Sequence, residues 1–353
     1  MLKQLTPSET KTSSSQSSNF ITLRDAVEAA HYIHQEGGRI TPLLQSMFLS
    51  RTVTHGNVFL KLENMQLTGS FKFRGAFNKI IHLSDEQKKR GVITASAGNH
   101  AQGVALTSKL LGIDATVVMP KGAPIAKQRA TSGYGAKVVL HGDTFDESRA
   151  FMEQKAADEG LTIVDPYNDQ DVIAGQGSIG IEIIRQLWDV DTVIVPVGGG
   201  GLISGIAAVL KSYNPSIHIV GVQSENVHGM TASLKAGKIT TQSDGKTLAD
   251  GTAVATPGSI TFQYAEHFVD DMVLVSEEEI ARAMKDLMQR TKIIAEGAGA
   301  LPTAALESHK IDEKWLKGKK IVALVSGGNV DLEQVADNIN HFFANDPDGE
   351  FLG

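Results

Sequence analysis

One lysine and three glycine-bearing turns hold most of the chemistry open to this sequence. The run Ser70-Phe71-Lys72-Phe73-Arg74 follows an apolar stretch, Val58 to Glu63, that reads as a strand, and a loop from Asn64 to Gly69. Ser70 is a natural N-cap, so the pattern predicts a helix opening there with Lys72 in its first turn. The positive end of a helix disfavours an ammonium, and a partly desolvated amine has a lowered pKa. Both are what a Schiff-base lysine or a proton carrier requires. Without such a setting the same residue would be one more solvated surface charge.

The three turns are Ser96-Ala97-Gly98-Asn99-His100, Gly198-Gly199-Gly200-Gly201-Leu202 and Ser326-Gly327-Gly328-Asn329, each after an apolar strand pattern. In open α/β sheets the ligand crevice lies outside the carboxyl ends of the strands, where glycine lets backbone approach closely. The four-glycine turn precedes an apolar helix, so its amides and the helix N-terminus form an anion cradle suited to phosphate. It departs from the dinucleotide fingerprint, because the residues five after Gly198 and Gly199 are Ile203 and Ser204. Gly245-Lys246-Thr247 has Thr240 where a P-loop needs its first glycine, which disfavours an ATP-type site. The turn at Ser96 offers amides and a hydroxyl suited to a carboxylate.

Composition narrows the chemistry further. The 353-residue chain contains no cysteine, which removes disulfides, thiolate catalysis and Cys-ligated zinc, and which fits a reducing, cytoplasmic setting. Lys and Arg number 33 and Asp and Glu 40, a net charge of -7, and no basic block points to nucleic acid. Lys88-Lys89-Arg90 reads as a solvated helix end. No stretch approaches the ~20 apolar residues of a membrane helix. Residues 1–19, rich in Ser, Thr and Gln, read as a disordered tail. His31 and His34 have no accompanying ligand cluster and read as ordinary helix residues; Glu277-Glu278-Glu279 reads as a helix start capped by Ser276, so no metal site is expected.

Strand and helix patterns alternate along most of the chain. Strands are predicted at Gly91 to Ala95, Ala115 to Met119, Lys137 to Leu140, Thr192 to Val197, Ile217 to Gln223 and Lys320 to Ser326. The intervening helices are predicted at Ala101 to Leu111, Ala123 to Ser132, Phe145 to Glu159, Gln176 to Trp188 and Leu202 to Tyr213. An earlier amphipathic helix, Thr22 to Glu36, places Leu23, Val27, Ala30 and Ile33 near helical spacing. The alternation predicts an α/β protein with open, mostly parallel sheets covered by helices. Two domains are expected: a larger one from residues 20–78 and 169–353, and a smaller one, carrying the Ser96 turn, from 79–168.

Taken together and in order, Thr41-Pro42-Leu43, Gly69 to Ala76, Ser96 to Gly103, the four glycines, Glu296-Gly297-Ala298-Gly299 and Ser326 to Asn329 resemble the fold-type II pyridoxal-phosphate enzymes, whose fold is that of the tryptophan synthase β subunit. Within them the chain resembles the serine/threonine dehydratases, from about Phe20 to about Phe343. The resemblance implies that Lys72 holds pyridoxal 5'-phosphate as a Schiff base, that Phe71 packs near the ring and that Asn99 meets the ring hydroxyl. It further implies that Gly198, Gly199, Gly200, Gly201 and Leu202 hold the phosphate, that Gly251 lies beside the ring and that Ser326 meets the pyridine nitrogen. Ser96, Ala97, Gly98, Asn99 and His100 would bind the substrate carboxylate, with His100 orienting the loop, and Glu296 is a candidate group near the ring.

The implied reaction is dehydration and deamination of threonine, and of serine, by a lyase. A hydroxyl at the pyridine nitrogen enforces a pyridinium less than a carboxylate would, which favours elimination over transamination. Racemases of this family carry a serine where this chain has Ala97, and a metal-site carboxylate where it has Gln223, which weighs against serine racemase and leaves it as an alternative reading. A hydroxyaspartate dehydratase and a catalytically silent cofactor- or nucleotide-binding sensor are the other readings. Fewer than thirty residues follow Ser326, so the C-terminal regulatory domain of biosynthetic dehydratases is not expected. The single-unit architecture resembles the catabolic dehydratases, which implies a homodimer or homotetramer and an AMP-type nucleotide effector.

Overall fold

The computed structural model describes residues 20–51, 56–242 and 245–343; the tail expected at residues 1–19 lies outside them. Ten strands are described: β1 Leu43–Gln45, β2 Asn57–Leu62, β3 Val92–Ala95, β4 Ala115–Met119, β5 Lys137–Leu140, β6 Thr162–Ile163, β7 Thr192–Pro196, β8 His218–Ser224, β9 Asp271–Val275 and β10 Lys320–Val325. They form a six-stranded sheet in the order β1-β2-β10-β7-β8-β9 and a four-stranded sheet in the order β5-β4-β3-β6. Every pairing is parallel except β1 with β2. The fold is therefore the expected α/β arrangement of mostly parallel sheets with helices over their faces. No described helix is long and apolar enough to cross a membrane.

Both faces of the larger sheet are buried, which is why β7, β8 and β10 read as unbroken apolar runs rather than alternating ones. One face packs on the helix Gly297–Glu307 through Leu60, Val222, Ala300, Leu301 and Ala323. The other packs on the helices Gln170–Gln186 and Gly201–Tyr213 through Ile179, Val195, Ile203 and Leu324. The smaller sheet has its own core, with Val92, Val104, Val117 and Met119 on one side and Ile93, Val118 and Met152 on the other.

The first helix runs Leu23–Gln35 with a capping box at Thr22 and Asp25. The apolar face chosen from spacing is only half right: Leu23 and Val27 are exposed, and Ala26, Ala29, Ala30 and Ile33 form the buried stripe. Its alanines allow close approach to the helix Gln170–Gln186. Ser276 caps the helix Glu277–Asp286 in a capping box with Glu279, and Lys88 to Arg90 end the helix Asp85–Arg90, both as the sequence suggests. Strands β1, β6 and β9 escape sequence analysis. Two of them are two or three residues long, and β9 is bounded by aspartate and only partly buried.

Candidate active site

The residues singled out from sequence converge at the carboxyl ends of β2, β3, β7 and β10. Beyond β10, the carbonyl of Ser326 accepts from Phe71 N (3.1 Å), and Gly327 forms an antiparallel bridge with Ser70. This bridge corrects the expected helix start. Ser70 is extended (φ -160°, ψ 162°) and does not cap; the helix is Lys72–Ile81, with Phe71 at the N-cap position and no capping side chain. Ser70 is drawn into the pairing with Gly327 instead, and its buried hydroxyl meets no partner.

Lys72 is half-buried, and its Nζ donates to Pro166 O (2.8 Å) and lies 5.2 Å from the Phe71 ring centroid. Burial pushes its pKa down to about 8, against the opposing pull of Asp165 and Glu296. The amine is therefore partly neutral near physiological pH, the state in which it is a base and nucleophile.

Asn99 opens the helix Asn99–Leu111 directly after the Ser96 turn. Its Nδ2 donates to Glu296 Oε1 (2.7 Å) and Oε2 (3.0 Å), while its Oδ1 accepts from Asn329 Nδ2 (2.8 Å). Asn329 Nδ2 also donates to Thr68 O (2.7 Å), so one amide ties the turn before Lys72 to the turn bearing Asn99. Glu296 is buried, which raises its pKa to about 7, and the Asn99 bond opposes the rise. Gly251 lies beside it: a Cβ there would stand 3.5 Å from Glu296 Oε1.

His100 is buried, and its Nε2 lies 2.9 Å from Val164 O and so carries the proton, which leaves Nδ1 without a partner. Burial and the nearby Lys72 charge hold its pKa near 4. It ties the Ser96 turn to the segment after β6 and is neutral above about pH 4. Ser96 Oγ accepts from Gly98 N (3.2 Å), and the side chain of Ala97 beside it carries no acid or base.

The four glycines follow β7. Gly200 adopts φ +97°, and Gly201 begins the helix Gly201–Tyr213 with Leu202 behind it. The first amides of a helix have no intrahelical acceptor, so they are available to an anion. The turn is walled closely. A Cβ at Gly199 would lie 2.5 Å from the Tyr167 ring, one at Gly201 2.9 Å from Tyr167, and one at Gly198 3.0 Å from Thr252 Cα. Only glycine fits, which is what a cradle of backbone amides around phosphate demands. With Lys72, Asn99 and Ser326 on one rim, the residues fit pyridoxal phosphate.

A family model described as pyridoxal-phosphate dependent enzyme matches residues 34–327. The chain belongs to that family. Catabolic L-threonine dehydratase TdcB of Staphylococcus aureus (strain N315) is 63% identical over 332 residues, covering 94% of this chain and 96% of that protein. Among solved structures, the processed form of threonine deaminase isoform 2 from Solanum lycopersicum superposes with a TM-score of 0.83 at 40% identity, over 90% of this chain and 93% of that one. Maize serine racemase gives a TM-score of 0.85 at 34% identity, over 92% and 98%.

Several residues at the site were not singled out from sequence. Pro166 contributes only a carbonyl, which no side-chain pattern reveals. Asn329 lies in a recognised motif, but its double donation depends on the left-handed turn at Thr68 (φ 64°), a conformation no residue-type rule assigns to threonine. Gln223, where a metal-site carboxylate was compared, is buried with its Oε1 accepting from Thr231 N and Oγ1 (2.8 Å each).

Proposed function

We propose that this enzyme converts L-threonine, and L-serine, to the 2-oxo acid and ammonia. Carrying the reading is Lys72, a half-buried amine with its pKa pushed down to about 8, beside a glycine cradle and the Asn99 and Ser326 turns. The likeness to the Staphylococcus aureus dehydratase and the tomato deaminase supports it.

Lys72, Phe71, Asn99, Gly251, Ser326 and the amides of Gly198 to Leu202 would hold pyridoxal phosphate; Ser96 to His100 would hold the substrate carboxylate. When bound, the cofactor supplies an electron sink that makes the substrate Cα–H acidic. Lys72 Nζ then takes the Cα proton, and its depressed pKa keeps a working fraction in the basic form. The Ser96 hydroxyl and the first amides of the helix Asn99–Leu111 orient the carboxylate. Asn99, held from both sides by Glu296 and Asn329, fixes the turn that does so. Loss of the β-hydroxyl as water leaves an enamine, whose hydrolysis returns that water and releases ammonia and 2-oxobutyrate from threonine or pyruvate from serine.

Serine racemization is the second reading, favoured by the maize neighbour. Ala97 stands against it, since it provides no acid or base on the opposite face of Cα. Incubating the purified holoenzyme with each amino acid, then assaying 2-oxo acid and the chirality of remaining serine, separates the two. Absence of 2-oxo acid from both substrates would sink the dehydratase.

The division into a larger unit (20–78 and 169–353) and a smaller one (79–168) belongs to the same proposal, as do cytoplasmic location, homo-oligomeric assembly and activation by an AMP-type nucleotide. Ile40, Met65 and Ile294 support assembly: they are exposed, and their segments are joined by the Arg39–Met65 (2.8 Å) and Asn64–Ile294 (3.0 Å) hydrogen bonds. Gel filtration with and without AMP, alongside activity, tests both; unchanged association and rate refute the effector.

A further inference from the structure

The helix that carries Lys72 has no side chain capping its first turn, yet that turn must hold its orientation closely. An extended lysine Nζ stands roughly 8 Å from its helix axis, so a 10° rotation moves it by about 1.4 Å. A misplacement of about 1 Å at a reacting group costs on the order of 100-fold in rate.

Two residues along, Arg74 is fully buried and all its donor groups are engaged. Its Nε and Nη2 grip Glu63 (2.7 and 2.8 Å), and its Nη1 reaches Glu182 (2.7 Å) and Ser178 Oγ (3.1 Å). Nη2 also meets Arg39 O at 3.3 Å. Glu182 is shared with Lys61 Nζ (2.6 Å) and His34 Nε2 (3.0 Å), and Glu63 with Thr41 Oγ1 (2.5 Å). Burial alone would push the Glu182 carboxyl up, but Arg74, the His34 hydrogen bond and Lys61 hold it well below the usual range. The cluster thus anchors the lysine helix to β2 and to the helix Gln170–Gln186. Backbone packing agrees. A Cβ at Gly103 would stand 3.1 Å from Lys72 C and O, and one at Gly175 2.5 Å from Arg74 O.

We infer that the buried Arg74–Glu63–Glu182–Lys61 cluster positions Lys72, fixing the rotation of its helical turn in place of a cap. Stability alone does not account for such a cluster, because buried ion pairs replaced by well-packed apolar side chains often leave a protein equally stable or more so. The planar fork of Arg74, gripping carboxylates on two elements, supplies what an apolar side chain cannot: a defined orientation. The inference rests on the reading of Lys72 as the catalytic base.

The test uses the full-length holoenzyme with Arg74→Lys, which keeps a cation and loses the fork. The expected result is a folded protein whose kcat for threonine falls about 10- to 100-fold with KM little changed, and whose visible circular dichroism per bound cofactor falls below the parental value. Ser178→Ala removes one Arg74 bond and does not threaten folding; it should shift both readouts the same way, by a smaller factor. A purely structural cluster would lower the unfolding temperature but leave kcat and visible dichroism per bound cofactor at parental values. That outcome in either variant overturns the inference. Lys72→Ala is run alongside: if it retains turnover, the reading of Lys72 itself fails, whereas lost turnover there with parental Ser178→Ala sinks only the positioning role.

Discussion

Gly200→Ala is the sharpest single perturbation of the proposed phosphate cradle. Gly200 sits at φ +97°, where a residue with a Cβ pays about 1–2 kcal/mol. The added methyl would lie 2.6 Å from Met230 Cε and 2.9 Å from Thr261 Cβ. Met230 can swing away, but Thr261 is fixed by its hydroxyl, which donates to Gly199 O (2.5 Å), so relief disturbs the cradle's own backbone. Overpacking of this kind costs about 1–3 kcal/mol. The turn relieves the strain by re-forming, and the lost shape should appear as about 2–5 kcal/mol less cofactor binding, roughly a 30- to 4,000-fold rise in Kd. Titration of cofactor-free protein with pyridoxal phosphate, followed by fluorescence, measures it. Gly237→Ala is the control: Gly237 also has positive φ (+63°), but a Cβ there meets nothing within 4 Å. It should lose about 1 kcal/mol of stability and no affinity. Parental affinity in Gly200→Ala, or an equal loss in Gly237→Ala, would refute the cradle.

Other predictions concern buried ionisable groups. Glu307, whose carboxylate oxygens are buried without a partner, has its pKa pushed up to about 8 by burial and by Asp286. Its contribution to stability is present below the ordinary carboxylate range and lost as pH rises through about 8, so Glu307→Gln should stabilise at pH 9 by about 1–3 kcal/mol and change little at pH 4. Urea unfolding at both pH values checks this, and an equal effect at both contradicts it. Glu296→Gln should likewise remove a loss of stability that the parent shows as pH rises through about 7; a variant with the parent's pH slope speaks against a protonated Glu296. Because His100 is neutral above about pH 4, His100→Asn should lower the unfolding temperature while leaving the shape of the pH–rate profile between about pH 5.5 and 8 intact. A lost limb in that range would assign His100 a proton-transfer role.

The legible parts of the sequence are those where one local rule decides. Strands β4 and β5 and the helix Phe145–Glu159 match their apolar or capping patterns end for end, and the glycine-bearing turns stand where strands end. Less legible features depend on partners distant in sequence. Ser70 has every local mark of a cap, yet its backbone bridges Gly327 and its hydroxyl makes no capping bond. His34 looks like an ordinary helix residue, and by its own spacing it is; only folding brings Glu182 to it. The helix Gly297–Glu307, with Pro302 inside and apolar on all sides, has no amphipathic period because the sheet and neighbouring helices bury it all round.

The central claim is that Lys72, alone among the lysines, holds the cofactor. Reducing the holoenzyme with borohydride, digesting it and mapping the modified peptide by mass spectrometry tests this most directly. The account predicts the phosphopyridoxyl mass on the peptide containing Lys72 and on no other; the label on a different lysine, or on none, would contradict it.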